Sequence, residues 1–283
     1  MDIDGKTVWV TGASSGIGEA LAKGLAARGA YVLLSGRRAE ALARVQGEIG
    51  DRARALAFEA TDYEALPGIV DEALAWRGGV DLLINNAGVS QRSLALDTDF
   101  AVYRKLMEID FFAPLRLTQL VLPHMVARRG GRIAIVSSLA GKVGGPLRTG
   151  YSAAKFACVG YFEALRSEVE TAYSVGVTVI LPGSVRTQVA VNALDGAGAK
   201  RGRSDSNIDE GMPVAKAAEL IIEGLVADAR EIVVAEGREL MALDLRARDP
   251  EALFALTADL GAKLAAQRAA APGAPPEPIK LNA

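Results

Sequence analysis

Short apolar runs, each closed by small or turn-forming residues, alternate with longer stretches of helical periodicity along most of the chain. Val8-Trp9-Val10 opens the series and is followed by Thr11-Gly12-Ala13-Ser14-Ser15-Gly16-Ile17-Gly18, then by a helical pattern to Ala27. Residues 31–35, 54–58, 81–84, 132–137, 176–181 and 231–235 read as further strands. Helices are predicted up to about Trp76 and over 99–110, 112–128, 151–172 and 214–227, with Pro114 early in its helix, where a missing N–H costs least. The run 132–137 is apolar through its middle, the pattern of a strand buried on both faces. Alternating strands and helices predict an α/β fold: one doubly wound, Rossmann-like parallel sheet of about seven strands. That single domain is expected over 1–235, with no linker and no repeat.

The pattern changes in two places. Residues 184–211 are rich in Gly, Asp, Ser and Ala and lack periodicity, which predicts a mobile lid. Beyond 235 a C-terminal helical extension (236–270) is expected, with Leu253, Leu256, Leu260 and Leu264 on one side at helical spacing. That face is expected to pack on the body or on a second subunit; a lid or a membrane-surface role is the alternative. Residues 271–283, rich in Pro and Ala, read as a disordered tail.

Composition narrows the function classes. Half of the 283 residues are apolar, and 34 acidic against 32 basic residues leave a net charge of −2, which does not suggest a nucleic-acid binder. The single Cys158 excludes an internal disulfide and reads as a small packed side chain. With His124 as the one imidazole, neither a Ser-His-Asp triad nor a His-rich metal site has support, and no metal is expected. The polar first residues run straight into a strand, and no apolar run approaches the roughly 20 residues of a spanning helix. A cytoplasmic protein without a membrane span is the expectation.

The candidate chemistry centres on Gly150-Tyr151-Ser152-Ala153-Ala154-Lys155. Four residues on a helix bring the polar ends of Tyr151 and Lys155 to one face. A free phenol titrates at about 10, and a neighbouring ammonium favours the phenolate. Such a tyrosine can exchange a proton with a carbonyl or alcohol oxygen. Alone, the pair reads equally as a packed Tyr beside a snorkelling Lys. Around it stand other signals. The glycine loop after the first strand has the strand–turn–helix context of a dinucleotide site: Gly12 for the turn, Gly16 for backbone approach to a pyrophosphate, Gly18 for helix–strand packing. After the second strand come Gly36-Arg37-Arg38 rather than a ribose-binding carboxylate. Guanidinium groups there favour a 2′-phosphate, hence NADP over NAD, although a solvated basic loop has the same composition. Asn85-Asn86-Ala87-Gly88 suits a strand end that meets a ligand, or an Asn-rich turn. Ser138, just past the fifth strand, is placed to bond a substrate oxygen or to cap a turn.

In order and spacing these motifs make the chain resemble the short-chain dehydrogenase/reductase family over residues 6–235. Met107-Glu108, Lys142 and Val191-Asn192-Ala193 are similar to an orphan dehydrogenase/reductase subgroup that includes peroxisomal acyl- or alkyl-dihydroxyacetone-phosphate reductases. The resemblance implies Tyr151 as acid/base, Lys155 on the nicotinamide ribose and Ser138 on the carbonyl oxygen. It implies a cofactor cradle of Gly12, Ser14, Ser15, Gly16, Ile17 and Gly18, with Arg37 and Arg38 on the 2′-phosphate. Asn86, Ala87 and Gly88 would border the ribose; Pro182, Gly183, Val185 and Thr187 would meet the nicotinamide. Two positions depart from the family pattern. Asp110 stands where an Asn supports a proton-relaying water, and Glu59, before Ala60, stands where an Asp contacts the adenine. The implied activity is NADP(H)-dependent interconversion of a ketone or aldehyde and an alcohol in a homodimer or homotetramer. A non-catalytic NADP(H) sensor is the rival, and the apolar C-terminal helix hints at lipid-like keto substrates.

Overall fold

Trp9 points to one side of its strand while Val8 and Val10 point to the other, and both sides are dry. This burial on two faces is what makes the strands of the chain near-continuous apolar runs. In the computed structural model, which describes residues 1–271 and 276–279, the strands are β1 (Thr7–Thr11), β2 (Tyr31–Gly36), β3 (Ala53–Ala57), β4 (Leu82–Asn85), β5 (Arg132–Val136), β6 (Gly176–Pro182) and β7 (Glu231–Val234). They form one sheet in the order β3-β2-β1-β4-β5-β6-β7, every pair parallel. The connecting helices are α1 (Gly16–Ala27), α2 (Ala39–Ile49), α3 (Leu66–Ala75), α4 (Phe100–Met107), α5 (Ala113–Arg128), α6 (Thr149–Tyr173), α7 (Ser206–Asp209) and α8 (Val214–Val226). Leu21 and Leu25 of α1, Leu42 of α2 and Ile221 of α8 pack with Val8 and Val10 in one core. Val70 of α3, Leu117 of α5 and Phe162 of α6 pack with Trp9 in the other. The strand order reverses between β1 and β4, so their carboxyl ends diverge into a crevice where α/β sheets bind ligands.

Two local results differ from the sequence expectation. The helices predicted over 99–110 and 112–128 are joined by a π-helical turn, Glu108–Phe112, so the chain bends without leaving the helix and Asp110 turns fully inward. Helix α6 begins before Tyr151, because the buried Gln91 side chain accepts from the backbone N–H of Gly150 (2.8 Å) and Tyr151 (3.3 Å). The irregular segment 184–211 is anchored through Asp205, which pairs with Arg92 at 2.8 Å, both nearly fully buried.

The C-terminal extension comprises α9 (Arg238–Arg248) and α10 (Pro250–Ala270). Asp249 caps α10 by accepting from Ala252 N at 3.0 Å. Its Leu253, Leu260 and Leu264 are buried and line a cavity on the body, the first of the packing alternatives read from the sequence. Of the tail expected to be disordered, 272–275 and 280–283 lie outside the described residues. Glu277, in the piece 276–279, pairs with Arg201 at 2.8 Å and with Arg203. Among the described residues no helix is long and apolar enough to cross a membrane.

Candidate active site

At the carboxyl end of β1 the chain turns through Gly12 and Gly16, with φ of +67° and +58°, a region that side chains other than glycine rarely adopt. A Cβ on Gly12 would stand 2.9 Å from the Ala87 Cα, so the first loop and the end of β4 lie backbone to backbone. A Cβ on Gly18 would collide with Gly12 O and the Asn86 amide. Thr11 Oγ1 accepts from the N–H groups of Asn86 and Ala87, each at 3.0 Å, and Asn86 Nδ2 donates back to Thr11 O at 2.9 Å. Ser15 holds the N-cap of α1 with no side-chain bond to the first turn, leaving those N–H groups to an incoming group. Glycines that a Cβ would block, beside an uncapped helix start, fit a dinucleotide pyrophosphate. Ile17 is half-buried in the first turn of α1.

The two arginines after β2 part company. Arg38 donates to Ser14 Oγ and Ser15 Oγ, each at 3.0 Å, and so lies over the glycine loop. Arg37 is 73% exposed and stands 3.7 Å from Glu59. Glu59 also accepts from Thr61 N at 3.3 Å and Thr61 Oγ1 at 3.1 Å, so its carboxylate is turned to its own loop and Arg37; Ala60 follows, half-buried.

Across the crevice, Ser138 leaves β5 in extended backbone, φ −170°, and its Oγ donates to Pro182 O at 3.3 Å while accepting from Ala140 N at 3.1 Å. Tyr151, half-buried, and Ser138 line one cavity of about 410 Å³. Lys155 is 4% exposed, donates to Val136 O at 3.1 Å, and places Nζ 5.7 Å from the Tyr151 ring centre. Burial alone would drive the Lys155 ammonium down; the facing Asp110 carboxyl and Tyr151 outweigh it and hold the ammonium above its ordinary value. Burial pushes the Asp110 carboxyl up to about 6, against the pull of Lys155 and of Val89 N–H, which donates to Oδ1 at 2.7 Å. Among the described residues Asp110 Oδ2 has no partner, and the Asp110 backbone oxygen accepts from Cys158 Sγ at 3.0 Å. Gly88 sits between the two charges, since a Cβ there would stand 3.0 Å from Asp110 Oδ1 and 3.4 Å from Lys155 Nζ. Cys158 is fully buried, and burial pushes its thiol up to about 11, as a packed side chain requires.

The remaining expected residues follow β6 and lie beside the glycine loop. Thr187 Cγ2 would be 3.3 Å from a Cβ on Gly16, which links segment 184–211 to the glycine loop. Val185 is buried and pairs in a short bridge with Met212. Gly183 admits the Glu239 carboxylate, which accepts from Ser184 N at 2.8 Å and Ser184 Oγ at 2.7 Å. Three residues that sequence reasoning missed therefore shape the site: Gln91, which caps α6; Glu239, which fixes the turn after β6; and Arg148, which lines the cavity one turn before Tyr151. Of these, Arg148 had a readable signal in its i, i+3 spacing from Tyr151.

A family profile described as short chain dehydrogenase matches residues 6–197. The chain belongs to the short-chain dehydrogenase/reductase family. It is 35% identical over 260 residues to dehydrogenase/reductase SDR family member 7B of Xenopus tropicalis, covering 89% of this chain and 84% of that one. It is 35% identical to human dehydrogenase/reductase SDR family member 7, covering 90% and 78%. Among solved structures, a short-chain dehydrogenase from Streptomyces avermitilis superposes with a TM-score of 0.75 at 30% identity, covering 94% of this chain and all of that one. A Burkholderia phymatum family member in complex with NAD gives a TM-score of 0.79 at 23% identity (89% and 96% covered), a likeness of fold alone. A Burkholderia cenocepacia short chain dehydrogenase in complex with NADP gives 0.75 at 27% (90% and 98% covered). This is an oxidoreductase family whose fold binds a nicotinamide cofactor, and the sheet described above is that fold.

Proposed function

We propose that this short-chain dehydrogenase/reductase is NADP(H)-dependent and interconverts a ketone or aldehyde and its alcohol, with Tyr151 as acid/base. The observation that carries the proposal is that Ser138 and Tyr151 line one cavity while the ammonium of buried Lys155 stands 5.7 Å from the Tyr151 ring centre. When bound, the nicotinamide supplies or accepts the hydride. The protein's share is to orient the carbonyl and to manage one proton. The Ser138 hydroxyl donates to Pro182 O at 3.3 Å, a long bond that it can swing to a substrate oxygen while Oγ still accepts from Ala140 N. Tyr151 delivers the proton to the same oxygen in reduction and removes it in oxidation. Lys155 holds a positive charge where the phenolate forms, and Asp110 keeps that charge in place.

Three observations support NADP over NAD. Strand β2 ends on Gly36 with no carboxylate, Arg38 lies over Ser14 and Ser15, and exposed Arg37 makes a long contact of 3.7 Å to Glu59. A cytoplasmic homodimer or homotetramer remains our reading, with the exposed Phe112 and Phe156 as apolar surface for assembly. The test of the central claim is Tyr151→Phe, with NADPH absorbance followed over a panel of ketones and aldehydes. Turnover of any wild-type substrate is expected to fall at least about a hundredfold, the usual share of a general acid, while NADPH affinity is kept. Undiminished turnover overturns the assignment.

A further inference from the structure

Helix α9 is held by little apolar packing. Ala242 is its one buried residue, Leu243 is partly buried against the core that contains Trp9, and Leu240 and Met241 are exposed. The specific contact comes from its first turn. The Glu239 carboxylate shares the Ser184 N–H between its two oxygens, at 2.8 and 3.0 Å, and accepts from Ser184 Oγ at 2.7 Å. Hydrogen bonds to an ionised acceptor are the strong ones. Gly183 is what admits them, because a Cβ there would collide with the carboxylate. The entry into α9 is fixed in turn by Glu236, which pairs with Lys216 of α8.

Ser184 stands in the turn that leaves β6, and the neighbouring bonds of this turn tie it to both sides of the site. Pro182 O accepts from Ser138 Oγ at 3.3 Å, Gly183 N donates to Val234 O at 2.9 Å, and Ser184 O accepts from Met212 N at 2.9 Å. Val185 follows, buried, and Thr187 stands against Gly16 of the glycine loop. Gly183, Ser184 and Glu239 line the same cavity as Ser138 and Tyr151.

We infer that Glu239 is a positioning residue for the nicotinamide end of the cofactor: through Ser184 it holds the turn 182–187 in its binding shape, which makes the C-terminal extension part of the cofactor site. This rests on the reading that Pro182, Gly183, Val185 and Thr187 meet the nicotinamide. A turn ordered in advance spares the ligand the entropy of ordering it, so Glu239 raises affinity without touching the cofactor. The adenosine end is assigned to other residues, Arg38 among them, and should not depend on Glu239.

The test reads binding, so that it stands apart from turnover. NADP and adenosine 2′,5′-bisphosphate, which carries the adenosine phosphates without the nicotinamide, are titrated calorimetrically into wild type, Glu239→Ala and Glu239→Gln. E239A is expected to weaken NADP about tenfold or more and to leave the bisphosphate within about twofold. E239Q keeps an amide oxygen for Ser184 N and should retain most of the affinity that E239A loses. Undiminished NADP affinity in E239A overturns the inference. Equal losses of NADP and bisphosphate overturn it as well, since they mark damage to the whole site, and E239Q as weak as E239A rules out a role exerted through the Ser184 bonds. NAD and 5′-AMP replace the pair if wild type binds NAD more tightly. Wild type that binds neither dinucleotide would sink the cofactor reading itself, a failure visible before any variant is made.

Discussion

Asp110 gives the most quantitative prediction. It is fully buried, its carboxyl is raised from 3.8 to about 6, and Oδ2 has no partner among the described residues. Because the folded value lies above the unfolded one, folding takes up a proton between these values, and the ionised side chain opposes folding at higher pH. A displacement of about 2 pH units corresponds to about 3 kcal/mol, fully felt above the folded value and gone well below the unfolded one. Asp110→Asn mimics the protonated state. Its oxygen can still accept from Val89 N–H, and an unpartnered NH2 replaces the unpartnered oxygen, so the hydrogen-bond count is unchanged. The attraction to Lys155 does not reverse the sign, because it is already contained in the shifted value. D110N should therefore be more stable than wild type by about 3 kcal/mol at pH 8, shrinking to about 1 kcal/mol at pH 4.5. Urea unfolding of both proteins across that range measures the difference, and groups common to both cancel. A D110N protein less stable than wild type at pH 8, or a difference indifferent to pH, would refute the assignment of a charged carboxylate whose burial Lys155 and Val89 N–H only partly offset. Turnover need not follow stability: without Asp110 the Lys155 ammonium loses the charge that opposes its burial, and activity should decline first at high pH.

Two further outcomes follow from single contacts. Arg38→Ala removes the guanidinium over Ser14 and Ser15 and should weaken NADPH binding about tenfold or more while leaving NADH binding nearly unchanged, as read by fluorescence titration; equal losses for both would dismiss a 2′-phosphate role. Gln91→Ala removes the acceptor for Gly150 and Tyr151 N–H and leaves those groups buried, at a cost of about 1–3 kcal/mol in urea unfolding. If α6 needs this cap to aim Tyr151, kcat should fall as well, with NADPH affinity kept.

How much of this was legible in the sequence depends on how the chemistry is distributed along the chain. The glycine loop, the Asn86-Ala87-Gly88 turn and the Tyr151/Lys155 pair are contiguous or one turn apart, so spacing alone displays them. Strand burial on both faces likewise writes itself as unbroken apolar runs, and the predicted strands lie where β1 to β7 form. Gln91 is legible in no local pattern, because the groups it caps lie 59 and 60 positions away, and Glu239 meets Ser184 across 55. The helix α2 went unread because it has no unbroken apolar face, with only Leu42 and Val45 buried. The split predicted at Phe111 had a physical origin: an added residue in the turn shifts the helical phase, so two periodicities meet at the π turn. That same shift carries Asp110 inward beside Lys155, so the point where the pattern breaks is also where the fold places an incompletely compensated carboxylate against the catalytic helix proposed here. At Asp110, where the helical rule breaks, the cost falls on stability and the effect falls on the electrostatics around Lys155.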